Sequence, residues 1–230
     1  MIPKVFHRIW IGGTEPGWLR DCAATWVEHH PAWQVRQWGD VEAETLFPLE
    51  HHALWDEAPS IVDVGHLQQF RADLLRYTIL WRHGGLYVDA DFTCLRPIDG
   101  LIGDASCVSA WEVEGKWAVN GFLGAEPAHP FIGRLLDGLP WSVQQNRGKA
   151  PTVITGPQFL TRCMNQAPAL ERPTVLPQAC FFPFQPSIGD VKAWPLDLTA
   201  DELRERAPEA YGVHWWRNRR RKAGMLTDVE

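Results

Sequence analysis

Apolar and polar positions switch between two periods along this chain, and the switches mark its elements. Residues 5–11 form an apolar-rich run closed by Gly12-Gly13, the pattern of a buried strand, and residues 17–30 then repeat apolar positions at helical spacing until Pro31. A short strand is predicted over 33–38, followed by two short acidic, histidine-bearing helical stretches within 41–57. The best-defined unit comes next: a helix over 65–82, a stop at His83-Gly84-Gly85, a strand over 86–88, and an exit at Asp89-Ala90-Asp91. Strands over 106–111 and 117–123 and helices over 129–139 and 158–165 follow. The Pro-rich stretch 168–186 should hold short strands at most, and 200–210 reads as helical. A β-α-β opening with continued alternation predicts an α/β fold, with a mostly parallel central sheet flanked by helices.

Composition narrows the function classes. A chain of 230 residues with 45% hydrophobic positions can bury a large core, and no repeat or Ser/Gly linker divides it. The expectation is one domain over 1–216 and a basic tail over 217–230. A net charge of −6 argues against a generic nucleic-acid binder. Lys4, His7 and Arg8 interrupt the apolar stretch that a signal peptide needs, and no run of about 18 apolar residues occurs, so a cytoplasmic protein is expected. The five cysteines are scattered without CxxC spacing, which suits reduced thiols. The 13 tryptophans suit stacking on bases and sugars, yet for most of them a core position is expected.

Ligands of open α/β sheets collect where strands end at their carboxyl edges. Asp89 and Asp91 lie at such an end, and paired carboxylates suit Mg²⁺ or Mn²⁺ with positions left open for phosphate oxygens. The D-x-D spacing alone carries little information, since about one such pair is expected by chance; its setting after an apolar strand, a Gly-Gly turn and a polar-faced helix adds the weight. On that helix Phe70, Leu74, Tyr77 and Trp81 form one stripe, while Gln69, Asp73 and Arg76 share a neighbouring face. Asp73 and Arg76 fit either an ordinary surface ion pair or a grip on sugar hydroxyls. Trp10 ends the first strand, where its ring suits a nucleobase. Asn120-Gly121 and Thr155-Gly156-Pro157 are turns on which ligand contacts could sit, and His214 could reach a metal or phosphate. Arg217, Arg219, Arg220, Arg221 and Lys222 suit a solvated tail or anionic head groups. His29-His30 and His51-His52 read as surface residues.

In order along the chain, Ile2-Pro-Lys-Val-Phe-His-Arg-Ile-Trp-Ile-Gly12, Ala72-Asp-Leu-Leu-Arg-Tyr-Thr-Ile-Leu-Trp-Arg-His-Gly-Gly-Leu-Tyr-Val-Asp-Ala-Asp91, Asn120-Gly-Phe, His129-Pro-Phe131, Thr155-Gly-Pro157 and His214-Trp resemble the DXD-containing glycosyltransferases of family 32. That group includes capsular-polysaccharide sugar transferases and fungal initiating mannosyltransferases. The resemblance implies a GT-A-type nucleotide-sugar-binding fold and a metal-dependent transfer of a hexose, with retention, from a UDP or GDP donor to a glycan or lipid-linked saccharide. It also implies residue roles. Trp10 would stack on the donor base, Asp73 and Arg76 would hold the donor sugar, and Asn120 and Gly156 would line its site. Asp89 and Asp91 would bind ribose and Mn²⁺ or Mg²⁺, with Asp91 the direct ligand and His214 approaching the metal or diphosphate. The chain departs from the pattern at Ala72, where the family often has Ser, and in its Arg-rich end. Two rival readings remain from the residues alone. One is an aspartate-nucleophile phosphatase, in which Asp89 attacks phosphate within Asp89-Ala-Asp91-Phe-Thr93 and Gly189-Asp190 supplies a faint acidic partner; the other is a non-catalytic sugar-binding module.

Overall fold

The first apolar run becomes β1 (Val5–Ile9), and the helical pattern after it becomes α1 (Gly17–His29), which buries Leu19, Cys22 and Trp26 along one stripe. The chain returns as β2 (Gln34–Trp38), pairing in parallel with β1. These positions come from a computed structural model that describes residues 1–184 and 198–216. Gly189-Asp190 and the basic run from Arg217 to Lys222 lie outside the described residues.

Two short helices, α2 (Asp40–Glu44) and α3 (His52–Ile61), lead to the central helix α4 (Leu67–His83) and to β3 (Gly85–Val88). Then come β4 (Phe92–Cys94), α5 (Asp99–Ile102) and the long hairpin of β5 (Cys107–Val113) and β6 (Trp117–Ala125). Next are α6 (Pro130–Asn146), α7 (Pro151–Ile154), α8 (Pro157–Gln166) and β7 (Thr174–Leu176), and α9 (Ala200–Arg206) and β8 (Gly212–His214) end the described chain.

The six-stranded sheet has the order β2-β1-β3-β6-β5-β7. β2, β1 and β3 are mutually parallel, β6 runs against both β3 and β5, and β7 follows β5. One strand, β6, is therefore reversed in a sheet whose other described strands share a direction. Side-chain alternation splits the core in two. Leu86 and Val88 of β3 face a cluster with Phe6, Trp26 and Phe122, while Tyr87 faces the cluster built on α4, α6 and α8. The parallel β1–β3 pair is closed at its start by His7. Its Nε2–H donates to the Gly84 carbonyl at 2.9 Å, and its Nδ1 accepts from the Trp38 indole at 3.1 Å. Gly85, at φ +91°, leaves space for that ring: a Cβ there would sit 2.7 Å from Nε2.

Several expectations are corrected. Helix α6 runs on through Pro140 to Asn146, because Ser142 and Val143 beyond the proline are buried and the Ser142 hydroxyl donates to the Ile154 carbonyl at 2.6 Å. His30 is buried: its Nε2 accepts from the Ile98 amide at 2.9 Å while Nδ1 bonds the Trp26 carbonyl at 3.0 Å. Of the tryptophans, Trp26, Trp33 and Trp38 are core residues, Trp141 is exposed, and the other described ones are half-buried. Asn120-Gly121 lies inside β6 rather than in a turn after it.

Candidate active site

Everything of interest gathers where β1 and β3 end. β3 delivers Asp89 directly after Val88, and the Asp89 amide bonds the Gly121 carbonyl of β6 at 2.8 Å, prolonging the pairing by one residue. Tyr87 and Asp89, two apart, point to the same face, toward α4. There the Tyr87 hydroxyl donates to Asp89 Oδ1 at 2.9 Å, and Arg76 Nη2 donates to the same oxygen at 3.1 Å. Arg76 lies over the Tyr87 ring, 4.1 Å from its centroid, and also pairs with Asp73 Oδ1 at 3.3 Å.

Asp73 is 2% exposed and Arg76 4% exposed, so the pair one helical turn apart is buried rather than a surface ion pair. Both oxygens of Asp73 are satisfied. Oδ1 accepts from the Asn120 amide at 2.8 Å, and Oδ2 accepts from the Thr155 hydroxyl at 2.6 Å. Burial pushes the Asp73 carboxyl up to about 6, against the pull of Arg76 and the Thr155 hydroxyl. Burial also opposes the charge on Arg76, but Tyr87, Asp89 and Asp73 together hold it protonated. Asn120 reaches Asp73 because β5 and β6 lose register between Ser109 and Trp111, where an irregular stretch of β6 re-aims its side chains.

The second carboxylate is positioned by a small two-stranded sheet. β4 pairs with β8, bringing Phe92 opposite His214, and the imidazole stacks on the Phe92 ring at 4.7 Å between centroids. His214 Nε2 then lies 2.9 Å from Asp91 Oδ1 and 3.8 Å from Asp89 Oδ2. Burial lowers the imidazole pKa, yet the Asp91 charge and hydrogen bond, joined by Asp89, outweigh it and leave the value raised. One ligand atom from each of Asp89, Asp91 and His214 lies within 4.8 Å of the others. Hard carboxylate oxygens with one imidazole fit a divalent cation such as Mn²⁺ or Mg²⁺. Nε2 is the His214 nitrogen that faces both carboxylates; it donates its hydrogen to Asp91 Oδ1, and a cation held there would take the place of that hydrogen.

The structure thus brings together Asp73, Arg76, Asp89 and Asn120 in one network, with Asp91 and His214 beside it. Trp10 sits half-buried at the same edge, its amide bonded to the Trp38 carbonyl at 2.9 Å. Gly156 caps α8 and packs against α7, where a Cβ would lie 2.9 Å from Thr152 Cα. The neighbouring Thr155 is the residue that touches Asp73. From the sequence, the Thr155-Gly156-Pro157 turn is named but the site role falls to Gly156 rather than Thr155, and Tyr87 is missed, although its two-residue spacing from Asp89 on a strand was the signal.

Comparison with known proteins agrees with this geometry. Residues 16–108 match the family model described as a glycosyltransferase sugar-binding region containing a DXD motif. Inositol phosphoceramide mannosyltransferase 1 of Schizosaccharomyces pombe is 30% identical over 165 residues, covering 70% of this chain and 50% of that protein. Lactosylceramide 4-alpha-galactosyltransferase of Rattus norvegicus is 24% identical over 216 residues, covering 86% and 54%. Among solved structures, the PaToxG glycosyltransferase superposes with a TM-score of 0.59 at 16% identity, covering 72% of this chain and 69% of that one. The galactosyltransferase LgtC, solved with donor and acceptor sugar analogues, gives 0.50 at 15% identity, covering 98% and 97%.

The fold is therefore of the GT-A type. The chain belongs to the family of DXD-containing glycosyltransferases, and it spans about half the length of the curated relatives it matches.

Proposed function

We propose that the chain transfers a hexose, with retention, from a UDP- or GDP-linked donor to a glycan or lipid-linked saccharide, using Mn²⁺ or Mg²⁺. The observation that carries this reading is the convergence of Asp89, Asp91 and His214 beside the buried Asp73–Arg76 pair. The relatives' names, a mannosyltransferase and a galactosyltransferase each acting on a ceramide-linked acceptor, support a hexose and a lipid-linked acceptor.

Asp91, with Asp89 and His214, would hold the cation, which supplies positive charge against the departing diphosphate. Trp10 would carry the base, Asp89 the ribose, and Asp73, Arg76, Asn120 and Gly156 the sugar side of the site. Both Asp73 oxygens are hydrogen-bonded, so Asp73 is not set up to attack the anomeric carbon. This favours direct displacement on one face. The acceptor oxygen bonds to the anomeric carbon as the sugar–phosphate bond breaks, and the acceptor proton passes to the departing phosphate oxygen.

Residues 1–216 would work as one unit, with the basic run 217–222 against anionic head groups. No helix among the described residues is long and apolar enough to cross a membrane. All five cysteines are free and buried, which suits a reducing compartment such as the cytoplasm.

Asp91→Asn tests the reading: release of UDP or GDP from nucleotide sugars should require Mn²⁺ or Mg²⁺ in the parent and vanish in the variant, with melting temperature unchanged. Turnover equal to the parent's would contradict it. Phosphate release from simple monoesters should be absent from both.

A further inference from the structure

The turn carrying the two carboxylates has its main-chain carbonyls held one by one. Asp89 O accepts from the Phe92 amide at 3.2 Å, Asp91 O from the Trp215 amide at 3.0 Å, and Phe92 O from the Trp26 indole at 2.9 Å. The carbonyl between the two aspartates, Ala90 O, is held by a charged side chain from another strand: Arg8 Nη2 of β1 at 3.1 Å. Arg8 is 3% exposed. The same nitrogen donates to the Leu19 carbonyl at 2.8 Å and to Glu15 Oε1 at 3.0 Å, while Nη1 donates to Gln37 at 3.0 Å.

A guanidinium buried in a parallel strand is an expensive way to fill a core position, because its desolvation is recovered only through several well-placed acceptors. An apolar residue would pair equally well in β1. What the arginine adds is connection. It ties the loop from Trp10 to α1, through Glu15 and Leu19, to the peptide linking Asp89 and Asp91.

We propose that Arg8 is a positioning residue for the carboxylate pair. By fixing the Ala90 carbonyl it sets the directions in which Asp89 and Asp91 leave the turn, and through Glu15 it couples that turn to the loop following Trp10. The inference rests on the cation-site reading above. Arg8 touches neither carboxylate side chain in the described contacts. It acts through the peptide between them, as groups behind metal ligands do when they orient the ligands and tune affinity.

The test is Mn²⁺ binding, read from the free-ion electron paramagnetic resonance signal well below each variant's melting temperature. Arg8→Gln, which keeps a polar side chain but cannot span four acceptors, should weaken Mn²⁺ binding by about tenfold or more. Arg8→Lys, which keeps the charge and can meet only part of the acceptor set, should fall between. Arg82→Gln serves as control: it breaks a guanidinium clamp on Leu46, Pro48 and Glu50 remote from the turn, and should lower the melting temperature without moving Mn²⁺ affinity. Parent-like affinity in Arg8→Gln, or in Arg8→Lys if the glutamine variant does not fold, overturns the proposal while leaving the cation site intact. Failure of both variants to fold makes Arg8 a fold residue only and overturns it as well. If the parent does not bind Mn²⁺, or Asp91→Asn binds it equally well, the cation-site reading itself fails.

Discussion

A carboxylate as buried as Asp73 must be satisfied at both oxygens or give up its charge, and here Asn120, Thr155 and Arg76 share the task. Asp73→Ala removes the common partner of all three and leaves a buried guanidinium with Asp89 as its remaining carboxylate. Unfolding in urea should show a loss of about 3–5 kcal/mol; a loss below about 1 kcal/mol would mean that the network relaxes without it. Thr155→Val strands one oxygen only and should cost about 1–3 kcal/mol. The sequence showed that Asp73 and Arg76 share a face, because helical spacing fixes faces. It did not show that this face is covered, since covering it takes Tyr87, Asn120 and Thr155 from three separate segments.

Among elements, the irregular stretch of β6 decides how tightly the carboxylates are held. Gly121 stands opposite Asp89, and a Cβ at that position would collide with Asp89 Oδ2. Gly121→Ala should therefore displace the Asp89 carboxylate and weaken Mn²⁺ binding on the order of tenfold, with little change in far-ultraviolet circular dichroism. Undiminished binding would show that Asp89 Oδ2 is free to move aside. The long, strongly periodic elements α1, α4 and β1 were legible in the sequence to within two residues at most ends. β4 and β8 were not, because three-residue strands carry no period, and their pairing joins Phe92 to His214 across more than a hundred residues of chain. That pairing is what brings His214 to Asp91. The shift within β6 was hidden for a related reason: a bulge looks like continued strand until the partner's register is known.

Across the whole molecule, the sheet edge depends on the β1–β3 pairing that His7 closes. Burial lowers the His7 pKa from 6.5 to about 4, helped by His83 and Arg36 and opposed by the bond to Gly84. The unfolded chain takes up this proton near pH 6.5 and the folded chain only near 4, so acidification through that window favours unfolding. His7 contributes fully above the window, and by its lower end about 3 kcal/mol has been lost. His7→Gln should remove that slice of the pH dependence of urea unfolding; identical slopes in parent and variant would contradict a neutral, buried imidazole.

The account stands or falls on a cation at Asp89, Asp91 and His214 joining the chain to a nucleoside diphosphate. Thermal unfolding with UDP and with GDP, each with and without Mn²⁺, measures this most directly, because a ligand bound only by the native state raises the melting temperature. The account predicts that one nucleotide raises it with Mn²⁺ present, and that the rise disappears without the ion or in Asp91→Asn. An equal rise in all three conditions, or none in the parent with Mn²⁺, would contradict it.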